Sequence, residues 1–157
     1  MQKIILFSVL SLVLMTNIVV LGHACTCPPE RTPLEELAAV DEVFLGVVVA
    51  VVNLPYEGIT KITINVTASW KGTAVGTVTV YTPIVYKPGD GGCGVFMEQN
   101  EEYLVYATYS ELGITASGCS RTRHILNAGE DLTELGDPPT VPIDDSTWGR
   151  IKALFIE

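Results

Sequence analysis

Apolar and polar positions divide the chain into strands joined by turns. Residues 44–53 are almost all apolar and rich in valine, which predicts a strand that is buried on both faces. Residues 59–70 and 77–81 alternate between polar and apolar side chains, the pattern of strands with one buried face. Further strands are predicted over residues 102–109 and 113–116, and the segments between strands are rich in Pro and Gly.

Two helices are predicted, one before the strands and one after them. Thr32 is an N-cap, Pro33 takes the first helical position and Glu35 completes a capping box, so a helix begins here and ends near Asp41. A second, short helix is capped at residues 145–147 and carries the last apolar side chains, which are Trp148, Ile151, Leu154 and Phe155. Together the elements predict a mainly β fold: an OB-fold-like five-stranded barrel with one N-terminal-side helix and a short C-terminal helix.

Residues 1–24 have the pattern of a secretory signal peptide. Lys3 precedes an apolar run over residues 4–21, and Gly22 and Ala24 are the small residues of a cleavage site. A membrane anchor is disfavoured by that cleavage site, and a lipoprotein signal by Gly22, where such signals usually have Leu. We therefore expect a secreted, extracellular protein, or a periplasmic one in a bacterium, with no membrane span after cleavage.

Behind the signal, the sequence indicates one domain and a tail. The domain is expected over residues 25–126, and the acidic, Pro- and Gly-rich tail with its short helix over residues 127–157. Residues 127–142 of that tail are expected to have little to bury.

Charge and motifs exclude several function classes. The chain of 157 residues has 9 Lys and Arg against 18 Asp and Glu, a net charge of −9, which disfavours binding to nucleic acid. It has no Gly-rich phosphate loop, no paired-His metal motif and no nucleophile elbow. His124, the one histidine left after cleavage, is expected at the surface. We expect a monomer that is not an enzyme and has no cofactor or metal of its own.

Four cysteines remain after the predicted cleavage: Cys25, Cys27, Cys93 and Cys119. In an exported chain this even number predicts two disulfides, and a Cys25–Cys27 bridge is the least favoured of the three pairings because its ring would be strained. The alternative is that free thiols form a redox pair or a soft-metal site. A third possibility adds function, because cleavage after Ala24 frees the α-amino group of Cys25. That amine and the adjacent carbonyl could bind the zinc of another protein's active site.

Several short motifs, in order, resemble the tissue inhibitors of metalloproteinases. The resemblance covers residues 25–123, which correspond to the family's inhibitory, netrin-like domain. It rests on the following motifs: Cys25-Thr26-Cys27 followed by prolines, Trp70-Lys71-Gly72, Val80-Tyr81-Thr82-Pro83, Cys93-Gly94-Val95-Phe96, Glu102-Tyr103-Leu104-Val105-Tyr106-Ala107 and Cys119-Ser120.

The resemblance implies a fold, a disulfide pairing and an inhibitory site. It implies an OB-fold barrel with Cys25 paired to Cys93 and Cys27 paired to Cys119. The Cys25 amine and carbonyl would chelate the catalytic zinc of the target protease, displacing its water, and Thr26 would enter the S1′ pocket. The residues implied to contact the protease are Thr26, Cys27, Pro28, Gly92 and Cys93.

The chain also departs from the family pattern. The third disulfide of the family's N-terminal domain and its cysteine-rich C-terminal domain are absent from the sequence, and Pro28 follows Cys27 directly. The sequence therefore predicts a minimal, N-terminal-domain-only relative. A non-inhibitory netrin-like binding module is the alternative, since a fold transfers more safely than a function.

Overall fold

The computed structural model describes residues 25–87, 89 and 92–139. The elements in chain order are α1 (Pro33–Ala39), β1 (Glu42–Leu54), β2 (Ile59–Lys71), β3 (Thr77–Pro83), β4 (Glu102–Ser110), β5 (Gly113–Thr115), β6 (Arg123–His124), a 3₁₀ turn (Ile125–Asn127) and α2 (Gly129–Leu135). The predicted signal peptide and the helix predicted after Asp145 lie outside the described residues.

Five strands form a closed ring of hydrogen-bonded pairs. The order around the ring is β1-β2-β3-β5-β4, and β4 pairs back to β1. Only β3 and β5 run parallel, where Val80 and Tyr81 pair with Ile114 and Thr115. The two-residue strand β6 adds to β4 beside the ring. The prediction of a mainly β, barrel-like fold is confirmed.

The two longest strands each pair with two neighbouring strands. Strands β1 and β2 have 13 residues each and pair along their whole length. The first half of β1 also pairs with β4, and the first half of β2 also pairs with β3. Three register shifts between residues 43 and 50 interrupt the β1–β2 ladder. Such bulges bend a strand and increase its twist, which lets a small sheet close on itself.

Apolar side chains form one core inside the ring and a second core outside it. The interior core contains Phe44, Val48, Ile62, Ile64, Ala74, Val80, Met97, Tyr103, Val105, Ala107 and Ala116. The outer core lies under the two helices and contains Val40, Val43, Leu104, Tyr106 and Ala128. Strands β1 and β4 contribute to both cores. This double burial explains why their sequences are apolar without alternation.

Helix α1 begins as the capping box predicts. The Glu35 amide donates to Thr32 Oγ1 at 3.3 Å, and the Thr32 amide donates to the Glu35 carboxylate at 2.9 Å. The helix ends at Ala39, two residues earlier than predicted. Val40 is already extended and buried, and the Asp41 amide donates to the Ala107 carbonyl, so tertiary contacts end the helix.

The expectation that residues 127–142 have little to bury is wrong for their first part. Ala128 and Asp131 are fully buried, and Leu132 and Leu135 of α2 pack against the outer core. The residues Ala128, Leu132 and Leu135 follow the i, i+4, i+7 spacing of one helical face. The many acidic residues of the segment obscured this short apolar face in the sequence.

Candidate functional site

Two disulfides attach the N-terminal segment to two loops of the ring. Cys25 pairs with Cys93 and Cys27 with Cys119, with Cα–Cα distances of 5.1 and 5.2 Å. This is the pairing that the family resemblance implied. The sulfurs of Cys25 and Cys119 lie 3.6 Å apart, so the two bridges pack side by side.

The disulfides leave no thiolate for the redox or soft-metal alternative. The sulfurs of Cys25, Cys27 and Cys119 lie within 4.8 Å of one another, a spacing that could suit a metal. Every cysteine in the described part of the chain is nevertheless in a disulfide. Soft-metal binding and thiol redox chemistry both require the thiolate, so this cluster is structural in its oxidised form.

The two loops that receive the disulfides are themselves fastened together. The Gly118 amide donates to the Cys93 carbonyl at 2.7 Å, and the Cys119 amide donates to Ser117 Oγ at 3.1 Å. The Val95 amide donates to the buried Thr82 Oγ1 at 2.8 Å, which anchors the first loop to the end of β3. A Cβ on Gly94 would collide with the backbone of Pro83, so this close approach requires glycine.

The structure gathers the six residues of the predicted inhibitory site on one surface. We call this surface, made of Cys25, Thr26, Cys27, Pro28, Gly92 and Cys93, the N-terminal edge. Cys25 is half-buried and the other five residues are exposed. The disulfides bring the two parts of the edge together across 68 residues of sequence.

One concave surface adjoins the N-terminal edge, and a second lies beside the first. A notch of about 200 Å³ lies against Pro28 and Cys119, and a groove of about 390 Å³ extends past the ends of β3 and β5. The two cavities share the lining residues Thr108, Thr115 and Ser117, so they lie next to each other, and of the two only the notch is lined by a residue of the edge, Pro28. The edge thus borders a concave surface on the side of Ser117.

A buried arginine fastens the base of the N-terminal segment. Arg121 is only 5% exposed and makes a bidentate pair with Asp131 of α2, with N–O distances of 2.7 and 3.0 Å. Its Nη1 donates to the Arg31 carbonyl at 2.7 Å and to Glu30 Oε1 at 3.0 Å. Its Nη2 also donates to Glu130 Oε2 at 3.0 Å. We call Arg121 and these acceptors, with Arg123, the Arg121 cluster.

The charges of the cluster lower the pKa of two of its carboxyl groups, those of Glu30 and Asp131. Arg123 Nη2 donates to Glu30 at 2.7 Å, and this hydrogen bond, with the nearby Arg121 charge, lowers the pKa of Glu30. Burial alone would raise the pKa of Asp131, but hydrogen bonds from Arg121 and Tyr106 and the two arginine charges outweigh it, so this pKa is lowered. Burial, with the hydrogen bond to Asp131, raises the pKa of the Tyr106 hydroxyl.

The Trp70-Lys71-Gly72 motif fastens both helices to the ring. The Trp70 indole donates to the Gly136 carbonyl at 2.8 Å, just after the end of α2. Lys71 Nζ donates to the carbonyls of Leu37 and Ala38 at the end of α1. Gly72 lies against the carboxylate of buried Glu42. These contacts give the motif a structural role away from the N-terminal edge.

His124 was expected at the surface, but its side chain is partly buried. Its side chain is about a quarter exposed, its Nε2 lies 3.0 Å from Glu101, and its ring packs edge-on against Tyr103. None of these neighbours belongs to the N-terminal edge.

Sequence analysis missed the Arg121 cluster and the buried Glu42. Asp131 lies on the same helical face as Ala128, Leu132 and Leu135, and this acidic residue on an apolar face was the available signal for a buried pair. No comparable local pattern marks Glu42, since its partners come from residues 73, 74 and 109.

No protein-family model matches the chain, and no curated protein matches it either. The resemblance to the metalloproteinase inhibitors therefore rests on the motifs quoted above. Within the described residues, no helix is long and apolar enough to cross a membrane.

Proposed function

We propose that the protein is a secreted inhibitor of zinc metalloendopeptidases that acts through its N-terminal edge. The observation that carries the proposal is the geometry of Thr26, which is exposed between two cysteines that are both tied to the ring by disulfides. Oxidising compartments are where such disulfides persist, which agrees with export through the predicted signal peptide.

The proposed mechanism requires Cys25 to be the first residue of the mature protein. The neutral α-amino group and the Cys25 carbonyl oxygen form a five-membered chelate with the protease zinc and displace the zinc-bound water. The Thr26 side chain enters the neighbouring specificity pocket. The bound segment presents no peptide bond in register for cleavage, so the protease stays occupied.

Rigidity of the edge favours tight binding. A free peptide would lose backbone and side-chain freedom on entering the protease cleft, which weakens binding. In this chain the disulfides at Cys25 and Cys27 and the prolines at positions 28 and 29 have already restricted the segment. Binding then orders few additional groups.

The mechanism is tested by adding one residue before Cys25. The extension moves the α-amino group away from the carbonyl chelate, so we expect inhibition to be lost while the fold is retained. Inhibition of a panel of zinc endopeptidases by the native and extended proteins measures the effect, with circular dichroism as the fold control. Equal inhibition by both forms would exclude chelation.

Two further measurements test the chelation mechanism: a variant of the Thr26 side chain and the pH dependence of inhibition. Thr26→Gly removes one side chain from a pocket and leaves the amine, so its effect should be smaller than that of the extension. Inhibition by the native protein should also weaken below about pH 7.7, because a protonated α-amino group has no lone pair for zinc.

A non-inhibitory netrin-like binding module is the second candidate. The observation that favours it is Pro28 directly after Cys27, a departure from the family pattern within the proposed interface. A native protein with an unblocked Cys25 amine and intact disulfides that inhibits no protease in the panel at micromolar concentration would support this candidate.

A further inference from the structure

The N-terminal segment is fastened at two places. At its tip, Cys25 and Cys27 form disulfides. At its base, the Glu30 carboxylate and the Arg31 carbonyl accept hydrogen bonds from Arg121. Pro28 and Pro29 lie between the two places and form a stiff connection with restricted backbone angles. The direction of the chain at its base therefore influences its direction at Pro28 and Cys27.

The Arg121 guanidinium is fixed before it binds the segment. Its five N–H groups all have an acceptor: two oxygens of Asp131, one of Glu130, one of Glu30 and the carbonyl of Arg31. The bidentate pair with Asp131 is buried, and Tyr106 Oη donates to the same carboxylate at 2.9 Å. A planar guanidinium held in this way presents its remaining donors at defined positions.

Helix α2 is thereby coupled to the N-terminal edge. Asp131 and Glu130 belong to α2, whereas Glu30 and Arg31 belong to the N-terminal segment, and Arg121 contacts all four residues. An exposed salt bridge would add little order, because solvent competes with it. The Arg31 contact differs, since its donor is almost completely buried.

We propose that Arg121 is a positioning residue for the N-terminal edge: it holds the base of residues 25–31 so that Cys25 and Thr26 are presented in one direction. The inference rests on the proposed function of that edge. Arg121 does not touch the target, and it acts through the Arg31 carbonyl and the stiff Pro28-Pro29 connection.

The test removes the cluster without leaving an unpaired buried charge. The double variant Arg121→Met with Asp131→Asn replaces the buried ion pair by neutral side chains, and such replacements are often tolerated. Glu30→Gln is a second, milder variant at an exposed side chain, and it keeps the buried pair and the Arg31 contact. Lys61→Gln is the charge control, because the exposed Lys61 makes none of the contacts of the Arg121 cluster.

Backbone ¹⁵N order parameters and amide chemical shifts of Thr26, Cys27 and Arg31 report the position of the segment directly. In the double variant we expect lower order at Arg31 and shifted amides at Thr26 and Cys27, while strand residues of the ring that lie away from Tyr106 and the Arg121 cluster stay unchanged. Glu30→Gln should move the same signals less, and Lys61→Gln should not move them. A merely structural role for Arg121 would lower the melting temperature without these local changes.

Inhibition is measured on the same folded variants. We expect the inhibition constant of the double variant to rise about tenfold, because the segment must be ordered again on binding. Unchanged Thr26 and Cys27 signals in a folded double variant would overturn the proposal, as would changed signals with an unaltered inhibition constant. If the double variant does not fold, Glu30→Gln is used instead. Smaller shifts of the Thr26 and Cys27 amides together with a smaller rise of the inhibition constant would support the proposal, and unchanged amide signals would overturn it. If the native protein inhibits no protease, the proposed function fails, and the order parameters still decide whether Arg121 positions the edge.

Discussion

At the scale of single residues, Glu42 shows how a buried carboxylate can organise a turn. Its side chain is fully buried at the start of β1, and it accepts hydrogen bonds from the amides of Thr73 and Ala74 at 2.9 and 3.0 Å. The Tyr109 hydroxyl also donates to it, and this bond raises the pKa of Tyr109. Burial of this polar side chain is tolerated because its oxygens have these donors.

Gly72 makes room for that carboxylate, and this predicts a specific cost for adding one methyl group. Its φ is +93°, and a Cβ would collide with the Glu42 carboxyl group. Gly76 has a φ of +64° but open space around it, so it is the matched control. We expect Gly76→Ala to cost about 1–2 kcal/mol for the left-handed backbone alone. Gly72→Ala should cost at least about 3 kcal/mol, because the collision adds to the strain.

Urea unfolding of both alanine variants, followed by circular dichroism, measures this difference. Equal losses of unfolding free energy would show that the turn relaxes around the new methyl group and that Glu42 does not require glycine.

At the scale of elements, α2 is held to the ring by apolar packing and by one buried ion pair. Leu132 and Leu135 pack against the outer core, and Trp70 holds the carbonyl that follows the helix. With only 7 residues, α2 is too short to be stable alone, so its helix depends on these contacts. The Asp131–Arg121 pair is the polar part of this interface.

The lowered pKa of Asp131 predicts that α2 docking is sensitive to acid. A carboxyl group whose pKa is lower in the folded state stabilises that state above its unfolded pKa of about 3.9, and this contribution is lost as pH falls through the folded pKa. Arg121, Arg123 and Tyr106 face this carboxylate, and only its own protonation changes their interaction in that range. Unfolding free energy should therefore be level at about pH 5–7 and should fall below about pH 4.

The variant Asp131→Asn provides the comparison. We expect it to be less stable at pH 7 by about 3 kcal/mol, since Arg121 loses a charged partner, and to show a shallower acid dependence. Glu30→Gln controls for the second carboxylate with a lowered pKa. Urea unfolding from pH 7 to pH 3 tests the idea, and parallel acid curves for native protein and Asp131→Asn would contradict it.

At the scale of the whole molecule, a closed ring of five strands carries the N-terminal segment on its outside. The ring has an interior core of its own, and the helices cover part of its outer face. The segment before α1 contributes no residue to either core, so the disulfides and the Arg121 cluster hold it in place.

Reduction of the disulfides should cost stability because both bridges close long loops. The bridged cysteines are 68 and 92 residues apart, and chain-entropy arguments give about 4–5 kcal/mol for each bridge taken alone. The loops overlap, so the two effects together should be smaller than their sum. We expect reduction to lower the melting temperature by on the order of 15 °C.

Scanning calorimetry with and without a reductant measures this shift, and thiol titration confirms that all four cysteines are free. An unchanged melting temperature with four free thiols would mean that the ring alone determines the stability. The paired variants Cys25→Ala with Cys93→Ala, and Cys27→Ala with Cys119→Ala, separate the two bridges.

The sequence by itself determined the elements whose signals are local. The strand regions follow from hydrophobic periodicity, and the start of α1 follows from a capping box in which Thr32 and Glu35 lie three residues apart. An even number of cysteines behind a predicted signal peptide was enough to predict two disulfides. The pairing itself came from the family resemblance, because cysteine spacing alone does not fix connectivity.

Tertiary structure decided where distant groups meet. Helix α2 forms because its short apolar face finds the outer core, and Asp131 is buried because Arg121 lies opposite it. The N-terminal edge exists as one surface only after Cys93 and Cys119 are brought beside Cys25 and Cys27. Such contacts depend on the closed ring, whose pairings join residues far apart in the chain, and no local pattern of side chains encodes that geometry.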